Sequence, residues 1–434
     1  MSGLDSRQSE VEEELGAHAV AAVASDSAKS ADTADTANSA DFADTADTAD
    51  SAKSANSAKS AKSANTANTA NTAKSADSAD SSSVVFGSCP IPVFEHRQIV
   101  LGHGSGGKLT SELIDTIFLP AFGNPILDKM DDQAVLRING TRLAFTTDSF
   151  VVTPIFFPGG DIGRIAVNGT VNDLAMSGAR PLYLSAAFIL EEGLAVEDLR
   201  RVVESMRASA AEAGVQLVTG DTKVVNRGKG DQIFITTTGV GVIEDGVNIS
   251  ADRARLGDKI ILSGYIGDHG MAIMSQRENL EFEGAIASDC ASLNGLVADM
   301  LETPSFGTAD FLHCMRDPTR GGVATTLHEI AKHARVGMVL REQSIPVRES
   351  VQGACELLGL DPLYVANEGK LLAIVADEMA AEVLAQMRRH PLGRDAAIIG
   401  EVVADHPGMV LMKTGIGGTR VLDVMFGEQL PRIC

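Results

Sequence analysis

Apolar residues follow two different spacings along the chain from about residue 84 onwards. Short alternating or continuous apolar runs predict strands, and recurrences every three or four residues predict helices. In the first half of this region, the predicted strands are 99–101, 134–138, 142–147, 182–190, 216–219 and 232–243. The predicted helices are 162–177 and 196–213, with a shorter helix after Lys108. Because strands and helices alternate, these residues are expected to form one α+β domain.

A second set of elements follows a connection at 247–256. The predicted strands are 259–264, 337–341, 370–375 and 398–403. The predicted helices are 267–276, 292–301, 323–333, 351–358 and 379–388, with a loop at 316–322. We therefore predict an N-terminal domain, a C-terminal domain and a flexible tail, at 84–246, 247–415 and 416–434.

Residues 28–81 repeat the triplet Ala-[Asp/Asn/Lys]-[Ser/Thr], with Phe42 as the outlier. A period of three matches neither the helical period of 3.6 nor the strand period of 2, so neither element would gain an apolar stripe. The extension 1–83 is therefore predicted to be disordered, as a spacer or without a role. A bundle of extended chains with a three-residue period is the alternative.

Composition and charge narrow the class of protein. The chain has 434 residues, of which 44% are hydrophobic, and a net charge of −22. Such an acidic chain is poorly suited to sequence-independent binding of nucleic acid or anionic membranes. No apolar run approaches the ~18 residues of a membrane helix, and the N-terminus is acidic where a signal peptide would be basic. The five cysteines show no metal-type spacing, so a cytoplasmic protein with reduced thiols is expected.

A glycine-rich loop at 102–107 stands between the predicted strand 99–101 and a predicted helix. Glycines let backbone N–H groups approach an anion, and a helix N-terminus adds its dipole. The candidate phosphate-binding residues are Gly104, Ser105, Gly106, Gly107 and Lys108. The loop matches neither of the common nucleotide-binding glycine patterns, so a flexible turn is the alternative.

Six aspartates stand out, and all but Asp173, which lies on the predicted helix 162–177, are in loops or directly after predicted strands. They are Asp131, Asp132, Asp148, Asp173, Asp221 and Asp317. Carboxylates at such positions suit Mg²⁺, which takes oxygen ligands and bridges to phosphates. For any single aspartate, a helix cap or a turn is the alternative role.

Cys434 is the last residue, on a tail whose glycines and proline suit neither a helix nor a central strand. A thiol there can move with the tail, and a thiolate is a nucleophile. A frayed terminus that happens to end in cysteine is the alternative. Lys223 follows Gly-Asp-Thr at a predicted strand end, and Glu368 precedes the strand 370–375. The two could transfer protons, or they could be solvated charges.

Together these motifs resemble the HypE family of hydrogenase maturation factors, in the superfamily of aminoimidazole ribonucleotide synthetase and selenophosphate synthetase. The segments that carry the resemblance are HGSGGK (103–108), TTDSF (146–150), NGTVNDLAMSGA (168–179), VTGDTKVV (218–225), GDHG (267–270), DPTRGG (317–322), ANEGK (366–370) and PRIC (431–434). The match spans about 335 of the 434 residues and leaves out the triplet extension.

The resemblance implies a fold and a reaction. The fold would be two PurM-like α/β domains, with a dimer formed through the N-terminal sheets and a C-terminal α-β sandwich. The reaction would be ATP-dependent dehydration of a carbamoyl group on Cys434 to a thiocyanate, which supplies the cyanide ligands of NiFe hydrogenase. A HypF-type carbamoyltransferase would load the thiol, and a HypC–HypD complex would receive the cyano group.

The resemblance also implies roles for individual residues. Magnesium ligands would be Asp132, Asp173 and Asp317. ATP-binding residues would be Gly104, Ser105, Gly106, Gly107, Lys108, Asp148, Asp221 and Thr222. Cys434 would carry the substrate, and Lys223 and Glu368 fall on functional positions of the family. Our own hypothesis for these two is that Lys223 steadies the transferring phosphoryl group or the substrate oxygen, and that Glu368 accepts the proton.

Two other functions stay open at this point. One is a non-catalytic thiol carrier or scaffold that presents Cys434 to partners. The other is another phosphotransferase of the superfamily, of the selenophosphate type. That chemistry would need a reactive cysteine or selenocysteine near the glycine loop, where this chain has His103.

Overall fold

The computed structural model describes residues 98–280, 286–302, 310–425, 430 and 432–434. The predicted disordered extension at 1–83, and Cys89, lie outside the described residues. The structure after residue 98 contains two sheets of five and seven strands and one two-stranded ribbon.

The first domain begins with a short helical region instead of the predicted strand at 99–101. Leu101–Gly104 is a 3₁₀ turn, followed by α1 (Lys108–Leu113), a π-helical turn (Ile114–Phe118) and α2 (Leu119–Phe122). The predicted strand does not form because no neighbouring strand pairs with residues 99–101 in the described sheets. The glycine loop therefore connects a 3₁₀ turn to a helix.

The five-stranded sheet of the first domain has the order β1-β2-β7-β5-β6, with β5 and β6 parallel and the other pairs antiparallel. Its strands and the intervening ribbon and helices are β1 (Ala134–Ile138), β2 (Thr141–Phe150), β3 (Phe156–Phe157), β4 (Gly160–Asp161), α3 (Ile162–Met176), β5 (Ala179–Glu191), α4 (Val196–Ala213), β6 (Gln216–Val225) and β7 (Ile233–Ile243). Side chains along β7 alternate between buried and half-buried, so one face of the sheet carries the core.

Helix α3 is buried along nearly its whole length. The carboxylate of Asp161 caps its first turn by accepting from the Gly163 and Arg164 amides at 2.8 and 3.1 Å. One side of α3 packs on the first sheet, and Asn172 on α3 bonds to the second domain through Ala291 O and Leu293 N. Because α3 contacts both domains, its polar residues lie between them.

Two strands of the first domain are longer than predicted. Strand β2 continues to Phe150, so Asp148 lies inside it. Strand β6 continues to Val225, so Asp221, Thr222 and Lys223 lie inside an edge strand and not in a loop. The physical reason is that β5 is long enough to pair with β6 up to Val225, which overrides the turn preference of Gly-Asp.

The second domain has a seven-stranded sheet with the order β14-β13-β10-β12-β8-β11-β9. Its elements are β8 (Lys259–Leu262), α5 (Asp268–Glu278), α6 (Asn294–Leu301), β9 (Leu312–Arg316), α7 (Gly322–Ala334), β10 (Gly337–Arg341), α8 (Glu349–Leu358), β11 (Leu372–Val375), α9 (Asp377–Met387), β12 (Ala397–Val403), β13 (Val410–Lys413) and β14 (Thr419–Leu422). Helices on this sheet bury Ile261, Leu327 and Met338 completely.

Three of these strands are absent from the prediction. All five residues of β9 are buried, including His313 and Arg316. Because polar residues interrupt its apolar pattern, the sequence did not indicate an interior strand. Strands β13 and β14 form a hairpin at the sheet edge, with Val410 opposite Leu422. The predicted boundary at 415 is therefore too early, because part of the predicted tail belongs to the second sheet.

Candidate active site

The end of the chain is docked against the first domain. Ile433 forms an antiparallel bridge with Val152 beyond the end of β2, and the Val151 amide donates to a Cys434 terminal oxygen at 3.2 Å. The Ile433 side chain is 3% exposed and belongs to the core beneath the first sheet. In this conformation the predicted mobile tail lies inside the site, which the sequence left open.

The Cys434 thiol reaches a buried carboxylate of the second domain. It lies next to Glu368, which is 3% exposed. Burial raises the pKa of the Cys434 thiol well above its ordinary value, and the negative charge of Glu368 raises it further, while Arg320 lowers it. The predicted carrier thiol and the predicted base are therefore neighbours.

The Glu368 carboxyl itself has an unusual environment. Burial raises its pKa well above the ordinary value, and the nearby carboxylates of Asp317 and Asp148 raise it further. Its Oε1 atom is buried and has no hydrogen-bond partner among the described residues. Its backbone amide is held by Asp289, whose carboxylate pairs with Lys370 at 2.9 Å. Glu368 is thus a fixed carboxyl with an orphaned oxygen that faces other acids.

Two loops, one strand and one helix bring four aspartates together. Asp132 precedes β1, Asp148 lies in β2, Asp173 on α3 and Asp317 after β9. Burial is the largest cause of a raised pKa in each of the four, and Asp317 reaches about 6. Mutual repulsion adds to this, since the charges of Asp317, Asp148 and Asp132 all raise the pKa of Asp173.

Individual bonds orient these aspartates. The Thr146 hydroxyl donates to Asp173 Oδ2 at 2.9 Å. Arg316 donates to Asp132 Oδ1 at 2.7 Å, whereas Asp132 Oδ2 is buried without a partner in the described part of the chain. Asp131 accepts from Ser250 and the Ala251 amide, so it ties loops together and is not part of the cluster.

Arg320 connects the acidic cluster to the glycine loop. Its guanidinium lies 3.9 Å from Asp148 and donates to Gly104 O at 3.0 Å. A Cβ atom at Gly106 would come within 2.9 Å of the Arg320 Cβ and backbone oxygen, and Gly106 has a φ of +75°. Glycine is required there because the two loops pack backbone to backbone.

The glycine loop borders a cavity of about 190 Å³, which contacts the acidic cluster at Asp132 and Asp317. Two loop amides already have partners inside the protein, since Gly106 N–H donates to Thr110 and Lys108 N–H donates to Met425 O. Ser105 donates to Gly102 O at 2.8 Å. The loop thus reaches the cluster, with part of its backbone covered by the chain that leads to the tail.

The structure does not bring Lys223, Asp221 and Thr222 into this cluster. Lys223 and Asp221 pair with each other at 2.6 Å, and their side chains are 69% and 63% exposed on the edge strand β6. Thr222 is exposed on the same strand. Within the described chain, Lys223 is therefore a solvated charge, the alternative that spacing left open.

The carboxylate oxygens of this cluster are of the kind that binds magnesium. Hard carboxylate oxygens that repel one another, with an orphaned Asp132 Oδ2, suit a divalent cation. Among the described residues, however, no three His, Cys, Asp or Glu side chains converge closely enough to form a complete cage. This fits Mg²⁺, which keeps several waters and takes one or two carboxylates together with substrate phosphates.

Two side chains that were not among the predicted site residues bind the tail. His269 is fully buried, and its Nε2 donates to Ile433 O at 2.7 Å. Arg277 donates to Arg432 O at 2.8 Å. His269 lies in the motif GDHG. Nothing in that motif indicates a contact with a residue 164 positions away.

Comparison with known proteins identifies the family. The N-terminal and C-terminal domains of AIR synthase related proteins match residues 130–243 and 255–412. Carbamoyl dehydratase HypE of Bradyrhizobium diazoefficiens is 58% identical over 334 residues, which are 77% of this chain and 95% of the relative. Carbamoyl dehydratase HypE of Escherichia coli K12 is 48% identical over 344 residues, 78% of this chain and 100% of the relative. The chain belongs to the HypE family.

Solved HypE structures share the fold. Hydrogenase maturation protein HypE in complex with ATP has a TM-score of 0.65 and 52% identity, and the match covers 78% of this chain and 100% of that chain. A HypE–HypF complex has a TM-score of 0.68 and 48% identity, and covers 72% and 99%. The prediction of two PurM-like domains is confirmed, and so is that of an ATP-dependent carbamoyl dehydratase of hydrogenase maturation. Within the described residues, no helix is long and apolar enough to cross a membrane.

Proposed function

We propose that this chain dehydrates a carbamoyl group carried on its own Cys434, with ATP, to a thiocyanate. The observation that supports this most directly is the contact between the Cys434 thiol and the buried Glu368, next to four aspartates and Arg320. A carrier without catalysis would have no need to bury its thiol among acids. A selenophosphate-type reaction is disfavoured, because the residue in the loop region is His103, whose Nδ1 bonds to the Val100 backbone.

The chemistry gives each group a task. The amide oxygen of a thiocarboxamide is a poor leaving group, and transfer of the ATP γ-phosphoryl group to that oxygen makes it a good one. The C–O bond then breaks, phosphate leaves with the oxygen, and the nitrogen loses its protons as the C≡N bond forms. Thiocarboxamide and ATP thus become thiocyanate, ADP and phosphate.

Glu368 is proposed to accept the proton from nitrogen. The carboxyl faces Cys434, so a carbamoyl group on the sulfur would lie beside it. Its raised pKa makes its ionised form a stronger base than an ordinary glutamate. Arg320, whose charge interacts with Cys434, Asp148 and Glu368, is placed to stabilise negative charge that develops on the oxygen.

Asp132, Asp173 and Asp317 would hold Mg²⁺, with Asp148 beside them. Bound there, the ion would neutralise phosphate charge during phosphoryl transfer. Gly104, Ser105, Gly106, Gly107 and Lys108 are proposed to contact the ATP phosphates, because Gly106 of this loop lines the cavity that reaches Asp132 and Asp317. This chain's own contribution is to hold the carboxylates in place through Thr146 and Arg316.

A homodimer would account for the positions of Asp221, Thr222 and Lys223. The outer face and edge of the first sheet leave Tyr183, Val218 and Val224 between 49% and 68% exposed. Such an apolar face is suited to a second copy. In that arrangement β6, with Lys223, would approach the partner's site, and the role proposed for Lys223 would be exerted there. A Val218→Asp change is expected to convert dimers to monomers in light scattering.

The partners proposed for the tail are those that membership of the HypE family implies. A HypF-type carbamoyltransferase would load Cys434, and a HypC–HypD complex would take the cyano group. Both transfers require the thiol to leave its buried position, since it lies between the two domains here. We infer a cytoplasmic reaction, because a reaction that uses ATP and a reduced thiol suits that compartment.

One measurement tests the proposed function. The carbamoylated protein is incubated with Mg-ATP, and its intact mass is followed. Loss of one water from the C-terminal peptide, with release of phosphate, is the expected result. Cys434→Ala should show neither carbamoylation of that peptide nor loss of water. A carbamoylated protein whose mass does not change would be a carrier or scaffold.

A further inference from the structure

Each of the last three residues accepts a hydrogen bond from the protein through its backbone oxygen. Arg432 O accepts from the Thr153 amide at 3.2 Å, and the Cys434 terminal oxygen accepts from the Val151 amide at 3.2 Å. Between them, Ile433 O points the other way and accepts from His269 Nε2 at 2.7 Å. Backbone amides of the first domain thus bind the oxygens of two tail residues, and His269 of the second domain binds the one between.

The contact from His269 is set up by its own surroundings. A carbonyl oxygen can only accept, so the proton of the neutral imidazole is on Nε2 and Nδ1 accepts from the Ser288 hydroxyl at 2.8 Å. The Ser288 oxygen in turn accepts from the Cys290 amide at 3.1 Å. The ring edge also packs at 87° to Phe157. The imidazole is therefore fixed in the orientation that binds the tail.

A second side chain of the same helix acts on the preceding residue. Arg277 lies two turns after His269 on α5 and donates to Arg432 O at 2.8 Å and to Thr153 O at 2.7 Å. It thereby ties the tail to the strand-like segment that pairs with it. The Arg432 side chain adds an ion pair with Asp231 at 2.6 Å.

We propose that His269 and Arg277 are positioning residues that form a seat for the tail backbone and set which residue presents its side chain to Glu368. We call Val151, Thr153, His269 and Arg277 the tail seat. Because Ile433 is buried in the core, the next side chain points to the opposite side, toward Glu368. A shift by one residue would move the thiol away from the base.

The seat binds backbone oxygens and makes no bond to sulfur. It can therefore hold the tail with a free thiol, a carbamoyl group or a cyano group, provided that the added group fits beside Glu368. Once the tail leaves, water can bind both the backbone oxygens of the tail and the N–H groups of the seat, so seating can be reversible. This inference rests on the proposed function for its purpose, but the seat itself can be measured without the reaction.

Seating is measured by alkylation of Cys434 with iodoacetamide, followed by mass spectrometry of the C-terminal peptide. His269→Leu and Arg277→Gln are expected to raise the alkylation rate of Cys434, by roughly fivefold or more for each lost hydrogen bond. His269→Gln, which keeps an N–H donor, should recover part of the protection. Recovery by the conservative variant distinguishes positioning from a general loss of packing.

His313→Leu is the matched control, because His313 is also a buried imidazole, bonded to Asp258 at 2.7 Å in the second domain. It should destabilise the protein without changing the Cys434 alkylation rate. Thermal melting of all variants shows whether each is folded at the assay temperature. Equal alkylation rates in the parent, folded His269→Leu and Arg277→Gln would overturn the seat.

The register is tested by chain length. One glycine inserted between Ile433 and Cys434 keeps the thiol but shifts it past Glu368, and dehydration of the carbamoylated protein should fall at least 100-fold. A glycine inserted next to Ile416, in the exposed β13–β14 turn, is the control and should leave the rate unchanged. Equal rates in both insertion variants would overturn the register. If the parent itself never loses water while the seat variants still expose Cys434, the proposed function fails and the seat stands.

Discussion

The thiol of Cys434 and the carboxyl of Glu368 are neighbours where the two domains meet, although 66 positions separate them in the sequence. Cys434 reaches the site through its pairing with the first domain, and Glu368 is held by the second domain through Asp289. Substrate carrier and base thus belong to different structural units. Their meeting depends on both the tail and the domain interface.

Glu368→Gln should abolish most of the dehydration while leaving the fold intact. The amide has nearly the same shape but cannot accept a proton, and loss of a general base costs about 10²–10⁴-fold in rate. Burial of a neutral amide is also easier than burial of a carboxylate, so thermal stability should not fall. The measurement is the rate of water loss from the carbamoylated protein in a single turnover with ATP.

Glu401→Gln is the control for this change, because Glu401 pairs with Lys259 on the far sheet and is 38% exposed. It should retain the parent rate. A Glu368→Gln protein that forms thiocyanate as fast as the parent would remove Glu368 from the mechanism, and the base would have to be sought elsewhere.

The rate at which iodoacetamide alkylates Cys434 should depend on pH as expected for a thiol with a raised pKa. Burial, followed by the charge of Glu368, raises the pKa of the thiol well above its usual value, so the alkylation rate should still be rising beyond pH 9. Glu368→Gln removes a negative charge and should move the rate curve to lower pH. The rate is measured on the C-terminal peptide from pH 6 to 10. A curve that is unchanged by Glu368→Gln would contradict the contact.

Most regular elements could be read from the sequence where one face is apolar and the other polar. The helix 196–213 was predicted with its observed bounds, because its buried and exposed residues alternate at helical spacing. Strand β9 was missed because it is buried on both faces and carries His313 and Arg316, whose partners are distant in sequence. Burial of paired charges cannot be read from local pattern.

The site was predictable in part. Asp132, Asp173 and Asp317 lie close enough for their charges to raise the pKa of Asp173, although a metal bound there remains a prediction. Lys223 does not join them within the described chain, because β6 extends past it as an edge strand. His269 and Arg277 bind backbone oxygens of the tail, and such contacts leave no trace in residue type or spacing.

Arg316→Met should strongly destabilise the protein. The guanidinium is 9% exposed, donates to Asp132 at 2.7 Å and to Glu329 at 3.1 Å, and its removal leaves Asp132 buried without its cation. Loss of one partner from a buried pair costs about 3–5 kcal/mol. Urea denaturation measures the loss in unfolding free energy. Adding Asp132→Asn should recover part of it.

Arg207→Met provides the comparison, because Arg207 pairs with Glu204 on an exposed helix face with a side chain that is 71% exposed. That change is expected to leave the free energy of unfolding close to that of the parent, because the pair is solvated. Similar losses for the two arginines would show that the Arg316 pair has no special role in holding the cluster.

Magnesium should stabilise the protein more at pH 7.5 than at pH 5. The pKa of Asp317 is raised to about 6, and those of Asp132 and Asp173 are raised as well, mainly by burial. Carboxyls with a folded-state pKa above the unfolded value contribute stability below pH ~4, and this contribution is lost as the pH rises through about 6. A cation favours the charged forms and offsets that loss where they predominate. Melting temperatures are compared with EDTA and with Mg²⁺, both in the presence of ADP, at each pH.

Asp173→Asn should reduce the gain from magnesium at pH 7.5, since it removes one charged oxygen ligand and the repulsion that Mg²⁺ would relieve. Asp377→Asn, at a 66% exposed side chain beside Lys259, should leave the gain unchanged. The cluster would not be a magnesium site if the ion raised the melting temperature equally at both pH values, or equally in the parent and in Asp173→Asn. In that case only the bonds to Arg316, Arg320 and Thr146 would remain to explain the acidic residues. Those bonds do not account for the buried Oδ2 atom of Asp132, which has no partner among the described residues.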